Sequence, residues 1–221
     1  MHVQELWRYP IKSMRGERIP EATLDRTGFN GDRNIVVVSA THGRVITART
    51  HPELLGLQGS VTEDGTTLIE GHVWNSPAAL ELTRKAAGEP VRLVDAGTRI
   101  ERFDVLPLLV ATDGAIRELD LDRRRLRPNI VIGGVLGQTE RSWPGTSLLS
   151  GAVVIDVAQL RSRCVMTTFD PDSLEQDLGV LRKIVREADG KLALDCAVAS
   201  PGVLHVDDAI SLCFNPKGNL S

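Results

Sequence analysis

Short apolar runs, each cut off by Gly, Pro or Asp, recur along almost the whole chain, and this rhythm constrains the fold more than any other feature of the sequence. Runs of that length suit strands, and their breakers suit turns. Ile35 to Ser39 reads as a strand, and His42-Gly43 turns it into a second strand near Val45 to Ala48. Asp64-Gly65 separates Leu57–Thr62 from Thr66–Glu70 and predicts another hairpin. Leu80–Thr83 and Val91–Val94 read as further short strands, with Pro90 barring any helix before the second. Leu106 to Ala111, Ile130 to Ile132 and the long β-branched stretch from Ala152 to Leu160 continue the series, and Gly133-Gly134 ends the middle one. Two last strands, Leu192–Ala199 and Ala209–Phe214, are expected around a Pro201-Gly202 turn.

Helical spacing is rarer. Thr112 or Asp113 can cap a helix lasting to about Arg123, with Ile116 and Leu119 on one face. Leu174, Leu178, Leu181, Ile184 and Val185 space a second helix over Ser173–Ala188, stopped by Gly190. Strands so numerous, and not alternating with helices, predict a mainly β, α+β chain rather than a doubly wound parallel sheet. A closed or nearly closed barrel hides many short edges. Residues 60 to 95, richer in turn residues, are expected as a small subdomain laid against it.

The remaining composition excludes several function classes. The net charge is −3 and the pI about 6.0, so nothing global argues for nucleic acid. No apolar run approaches the ~20 residues of a membrane helix, and the N-terminus has no signal core, so a soluble cytoplasmic protein is expected. Cys164, Cys196 and Cys213 are the three cysteines. They form no CxxC, and no His stands at zinc spacing to them, so neither a disulfide framework nor a structural zinc is expected. Cys196 and Cys213 fall in apolar strand patterns and read as core.

Cys164 differs, because it follows Arg161-Ser162-Arg163 at a strand end. A thiol beside guanidinium groups is where thiolate character is expected, and a thiolate attacks electrophiles or ligates soft metals. A buried, inert Cys is the competing reading. Lys12-Ser13 after Tyr9-Pro10 can grip a phosphate, or be an ordinary solvated pair. Arg33 in Gly31-Asp32-Arg33 stands at a strand mouth, either facing a ligand or pairing with Asp32. In Arg127-Pro128-Asn129 the proline is expected to hold Arg127 extended and to aim a guanidinium and an amide at a heterocycle or phosphate. Arg123, Arg124 and Arg125 read as a solvated helix end.

In this order the pieces resemble the MOSC family, β-barrel proteins related to the C-terminal domain of molybdenum cofactor sulfurases. The resemblance rests on Tyr9-Pro10-Ile11-Lys12-Ser13, Gly31-Asp32-Arg33, Thr47-Ala48-Arg49 with Pro52-Glu53-Leu54, and Arg127-Pro128-Asn129-Ile130-Val131. It continues through Arg163-Cys164 with Thr167-Thr168 and Asp170-Pro171-Asp172, and through Pro201-Gly202-Val203 with Asp208. The most similar branch has an N-terminal MOSC half and includes the amidoxime-reducing (mARC) proteins. The sequence departs from relatives at Glu140-Arg141-Ser142-Trp143, where an acidic pair before the Trp is common. Cys196 stands in place of a common aromatic, and Asp207 in place of a glycine.

The resemblance implies an N-terminal MOSC region over residues 1–95, whose first strands join the main barrel, and a MOSC domain over 96–221. It implies a molybdenum cofactor (molybdopterin) held by Lys12, Ser13, Arg33, Arg127, Asn129 and Arg163, with Cys164 as metal ligand or persulfide carrier. The leading functional expectation is a molybdenum-dependent oxidoreductase that reduces N-hydroxylated or N-oxide compounds. With no ferredoxin-like cysteine cluster, its electrons are expected from a separate protein. The alternative is a sulfur-carrier or cofactor-delivery protein, with a cysteine desulfurase-type donor and no small-molecule turnover. A weaker alternative binds pyridoxal phosphate through Lys12, although sulfurases bind that cofactor in a different domain.

Overall fold

The computed structural model describes residues 1–97 and 102–214, and it is mainly β. Strands are numbered in chain order: β1 (His2–Arg8), β2 (Glu17–Ile19), β3 (Glu21–Asp25), β4 (Gly28–Phe29), β5 (Ile35–Ser39), β6 (Gly59–Val61), β7 (Thr67–Ile69), β8 (His72–Val73) and β9 (Val91–Asp95). The second half adds β10 (Leu108–Thr112), β11 (Ile130–Gly133), β12 (Thr146–Ser150), β13 (Val153–Ser162), β14 (Lys191–Ser200), β15 (Gly202–His205) and β16 (Ser211–Phe214). Among the described residues three α-helices accompany them, α1 (Pro77–Ala87), α2 (Asp113–Glu118) and α3 (Leu178–Ala188).

Both ends of the chain build one eight-stranded sheet, in the order β16-β12-β13-β14-β10-β11-β1-β2. Its inward positions are apolar and shut off from water: Val3, Leu6, Leu108, Val110, Ile130, Ile132, Ile155, Val157 and Leu194 form one cluster. Full burial of such a side chain contributes ~1.5–3 kcal/mol, which makes this cluster the main source of cohesion. Alternation along Val153, Ile155 and Val157 of β13 shows why a strand forms there. β10 and β11 pair in parallel, so a crossover must join them, and α2 sits on it.

The strand ladders alone close no ring, leaving β2 and β16 at the two ends. The segment ahead of β16 nevertheless reaches β1. His2 bridges Ala209, Val3 N donates to Asp208 O at 2.9 Å, and Asp207 N donates to Val3 O at 2.7 Å. One edge of β1 is therefore covered by residues 207–210 over its first half and by β2 over its second. This bridge is what the structure offers of the near-closed barrel that hidden edges demand.

The remainder of the first hundred residues folds around a second apolar cluster that includes Ile11, Met14, Val37, Leu54 and Ile69. Around it lie the pair β5-β9, the sheet β6-β7-β8 and α1. Helices α2 and α3 cover the sheet from outside, with Ile184 and Ala188 packed near Leu109 and Ala111.

Several local expectations are corrected. Leu80–Thr83 is not a strand but the middle of α1. Ser76 accepts a hydrogen bond from Ala79 N, Pro77 fills the first turn, and Gly88 closes the helix at φ 68°. These caps, rather than the apolar residues between them, decide the segment. The hairpin at Asp64-Gly65 forms, but the run after His42-Gly43 makes only the Val38–Val45 bridge, and β5 takes β9 as its ladder partner. α3 starts at Leu178, capped by Asp177, because Asp170 Oδ1 accepts from the Asp172 and Ser173 amides and folds the preceding residues into a turn. The closing strands do not pair around Pro201-Gly202: β15 intervenes and pairs with β3, while β16 pairs with β12. There, on the edge of the sheet, Cys213 is exposed rather than core.

Candidate functional site

A cavity of about 250 Å³ opens where the second cluster meets the large sheet. Four chain segments bring the residues singled out above to its walls. The loop after β1 brings Lys12 and Ser13, and the turn before β5 brings Arg33. The turn between α2 and β11 brings Arg127 and Asn129, and the end of β13 brings Arg163 and Cys164. All seven residues singled out in the sequence therefore line one cavity.

The charge of that cavity is unlike that of the chain. Among the described residues, eight basic side chains line it (Lys12, Arg33, Arg49, Arg102, Arg125, Arg127, Arg161 and Arg163) against two carboxylates, Asp104 and Asp195. A chain with net charge −3 thus concentrates positive charge in one concave place. Such focusing attracts anions.

Three of the wall residues hold φ in the left-handed region: Ser13 at 74°, Arg33 at 52° and Arg127 at 58°. The expected extended backbone at Arg127 is therefore corrected. Its amide instead donates to Arg124 O at 3.2 Å, ending a 3-10 turn, and the fold holds it in that geometry. Left-handed backbone costs a residue with a side chain ~1–2 kcal/mol, and such residues cluster at functional sites.

Buried hydrogen bonds fix these side chains. Asp32 is inaccessible, accepts from Tyr9 N at 2.7 Å and pairs with Arg33 Nη1. Asn129, equally buried, accepts from Leu109 N at 3.1 Å and from Arg33 Nη1 at 3.2 Å, and donates to Trp7 O at 3.3 Å. Its amide is thereby committed to joining β1, β10 and Arg33. Ser13 Oγ accepts from Ala48 N at 3.0 Å. The guanidinium carbons of Arg127 and Arg33 stand 4.4 and 4.9 Å from the centroid of the Tyr9 ring, in cation–π range.

Charge organisation runs through a residue without a sequence signal. Asp104 accepts from Arg49 at 2.7 Å, lies 3.1 Å from Lys12 Nζ and stands 3.9 Å from Arg161. Burial works against its charge, but Lys12 and Arg49 more than offset that and hold its carboxyl below the ordinary value. Burial likewise opposes the charge of Arg49, and the adjacent Asp104 and Cys164 sulfur outweigh it, so this guanidinium is held above its usual range. For Arg127 and Arg163 burial outweighs the nearby anionic groups and lowers both to about 10. Arg163 donates through Nη2 to Leu126 O at 2.9 Å, while its Nε is buried without a partner.

Asp195 is 1% exposed, and burial raises its pKa although Arg161 opposes the shift. Its Oδ1 lies 3.1 Å from Arg161 Nη1, close enough for an ion pair but not aligned as a hydrogen bond. Cys164 caps a 3-10 turn with extended backbone and is half-buried at the cavity wall. The other buried thiol, Cys196, is inaccessible, and burial pushes its pKa far up, in keeping with a core role.

Sequence reasoning did not single out Arg49, Asp104, Arg161 or Asp195 as site residues. For Arg49 and Arg161 a signal existed, since they sit inside motif segments. Asp104 and Asp195 had none, because only tertiary contact gives them cationic neighbours.

Both halves match known families: the MOSC N-terminal beta barrel domain over residues 1–101 and the MOSC domain over residues 109–211. This chain belongs to the MOSC family. Among its relatives is the mitochondrial amidoxime-reducing component 1 of Homo sapiens, 27% identical over an alignment covering 77% of this chain and 67% of that one. The mouse protein of the same name is also 27% identical, covering 95% of this chain and 82% of its own. Among solved structures, the YUAD protein from Bacillus subtilis superposes with TM-score 0.54 at 11% identity, covering 97% of this chain and 96% of that one. That likeness shows a shared fold alone. Among the described residues, no helix is long and apolar enough to cross a membrane.

Proposed function

We propose that this MOSC protein is a reductase that carries a molybdenum cofactor in the cavity and acts on N-hydroxylated or N-oxide compounds. The observation that carries the reading is a half-buried thiol, Cys164, sharing one cavity with eight basic side chains and two carboxylates. The relatives named amidoxime-reducing components support the reaction class.

The wall residues fit such a group. A pterin phosphate is anionic and rich in acceptors. The cavity offers it Arg127, a half-buried cation whose pKa desolvation lowers, and Arg163, whose buried Nε lacks a partner. Both are donors that gain from an anionic guest. Lys12, Ser13, Arg33 and Arg49 would hold the phosphate end, and Arg127 and Arg163 the heterocycle. Cys164 would give the metal a soft sulfur ligand. When bound, the group supplies a two-electron redox centre.

The chain's own residues prepare that chemistry. Asn129 and Asp32 orient Arg33. Asp104 spaces Lys12, Arg49 and Arg161 around one carboxylate. Leu106, Leu109 and Met166 line the cavity with apolar surface that limits water. Breaking an N–O bond and releasing water takes up two electrons and two protons. The electrons come from a separate donor protein, and Asp195 is the wall carboxyl whose proton affinity burial raises against the pull of Arg161. Pyridoxal phosphate chemistry gains no support, because the Lys12 ammonium faces Asp104.

The test is molybdenum content of wild type and Cys164→Ser made in a host that produces the cofactor. Near-stoichiometric metal in wild type, lost or spectroscopically altered in the variant, is expected. Metal equally present and unaltered in both would remove Cys164 as ligand. A one-sulfur mass increase on Cys164 without metal would reassign the protein to sulfur carriage.

A further inference from the structure

A second cavity, of about 270 Å³, lies beyond the wall formed by Arg125, Arg127 and Met166, which line both. Its composition is different. The chain has only eight aromatic residues, and three of them, Trp7, Tyr9 and Phe169, line this cavity with Leu55 and Pro171. Trp7, Phe169 and Pro171 all keep accessible surface there. In an aromatic-poor chain, that is a platform for a flat ring.

Among the described residues, four arginines also line the cavity and no carboxylate does. Two of the four are neutralised from outside. Arg124 makes paired contacts to Asp122 and Asp172, and Arg125 donates to Asp170 at 2.8 Å. The other two end differently. Arg15 donates to the main-chain carbonyls of Leu55 at 3.1 Å and Asp172 at 3.4 Å, and Arg127 stacks on Tyr9. Arg15 is held by carbonyls and makes no direct ion pair among the described residues; its charge is offset only at a distance by Asp172, a carboxylate already shared with Arg124. Gly16 is required where Tyr9 forms the wall, since a Cβ there would stand 2.5 Å from the Tyr9 ring.

We infer that this second cavity binds a small planar aromatic carboxylate, its ring against Trp7 and Phe169 and its anionic group towards Arg15. The site is distinct from the basic cavity and does not require the function proposed above. Because Arg127 and Met166 belong to both walls, an occupant would also stiffen one side of the first cavity.

Calorimetric titration of the purified chain with 2-naphthoate tests this. Saturable binding of one molecule is expected, with little or none for the neutral 2-naphthamide or the saturated decalin-2-carboxylate. Phe169→Leu removes the ring while keeping apolar bulk, and Arg15→Gln removes the charge while keeping a donor. Each should weaken binding about tenfold, the usual scale of one stacked or charge-assisted contact. Circular dichroism establishes that both variants fold. Arg49→Ala, which alters only the basic cavity, should leave naphthoate affinity unchanged. Binding lost in Arg49→Ala, or unaffected by both Phe169→Leu and Arg15→Gln, would put the ligand in the first cavity and overturn the inference. Equal binding of the naphthamide would overturn the anionic part.

Discussion

Asn129 and Ile130 are adjacent in sequence and equally hidden from water, yet they belong to regions governed by different physics. Ile130 enters the sheet interior, where neighbours such as Leu6, Val110 and Leu194 are apolar and buried. Asn129 faces the basic cavity and spends its amide on Trp7, Leu109 and Arg33. The interior is paid for by removal of apolar surface from water. The cavity wall instead carries costs: three residues at positive φ, two cations depressed in pKa by burial, and an unpartnered Arg163 Nε. Stability made in one region supports strain held in the other, which is where a ligand can recover it.

The largest effect expected from this contrast is in the interior. Leu194→Ala should destabilise the chain by about 2–5 kcal/mol in urea unfolding, because it deletes a fully buried side chain. A loss below 1 kcal/mol would mean that the interior is not the source of cohesion it is taken to be.

Next in size is Arg127→Met. Removing a charge-assisted contact should weaken cofactor retention about tenfold to a hundredfold. The melting temperature of the cofactor-free protein should hold or rise, since burial disfavours that charge. Reduced cofactor-free stability together with full retention would reverse the contrast.

The smallest effect is a pH dependence at Asp195. Its folded-state pKa is raised by burial, so its stabilising contribution is complete below the ordinary value of 3.8 and is lost as pH rises through the folded value. Asp195→Asn cannot ionise. Its stability relative to wild type should therefore improve as pH rises from below 3.8 towards neutrality, followed by unfolding at several pH values. A gap that stays constant with pH would show that Arg161 cancels the effect of burial, and one that changes in the opposite sense that Arg161 dominates.

Much of the fold was legible because its signals are local. The β-branched run at Ala152–Leu160 is β13, extended by two residues at its C-terminal end, and the turn residues Asp64-Gly65 set a hairpin. α1 was also locally encoded, in Ser76, Pro77 and Gly88, but its apolar residues read equally well as a strand. Arg127 shows the limit of local rules: the following proline argues for an extended backbone, and the packed turn overrides it at φ 58°.

The sequence by itself determined that the chain would be strand-rich and, through motifs set along its length, that it is a MOSC protein with a candidate thiol at Cys164. Turns, caps and motifs are properties of a few adjacent residues, so they can be read before folding. Only the tertiary structure decided that β10 and β11 run parallel, that residues 207–210 meet β1, and that Asp104 gathers Lys12, Arg49 and Arg161. Charge pairing falls off within a few ångströms in a solvated chain, so partners distant in sequence acquire an interaction only once packing has brought them together.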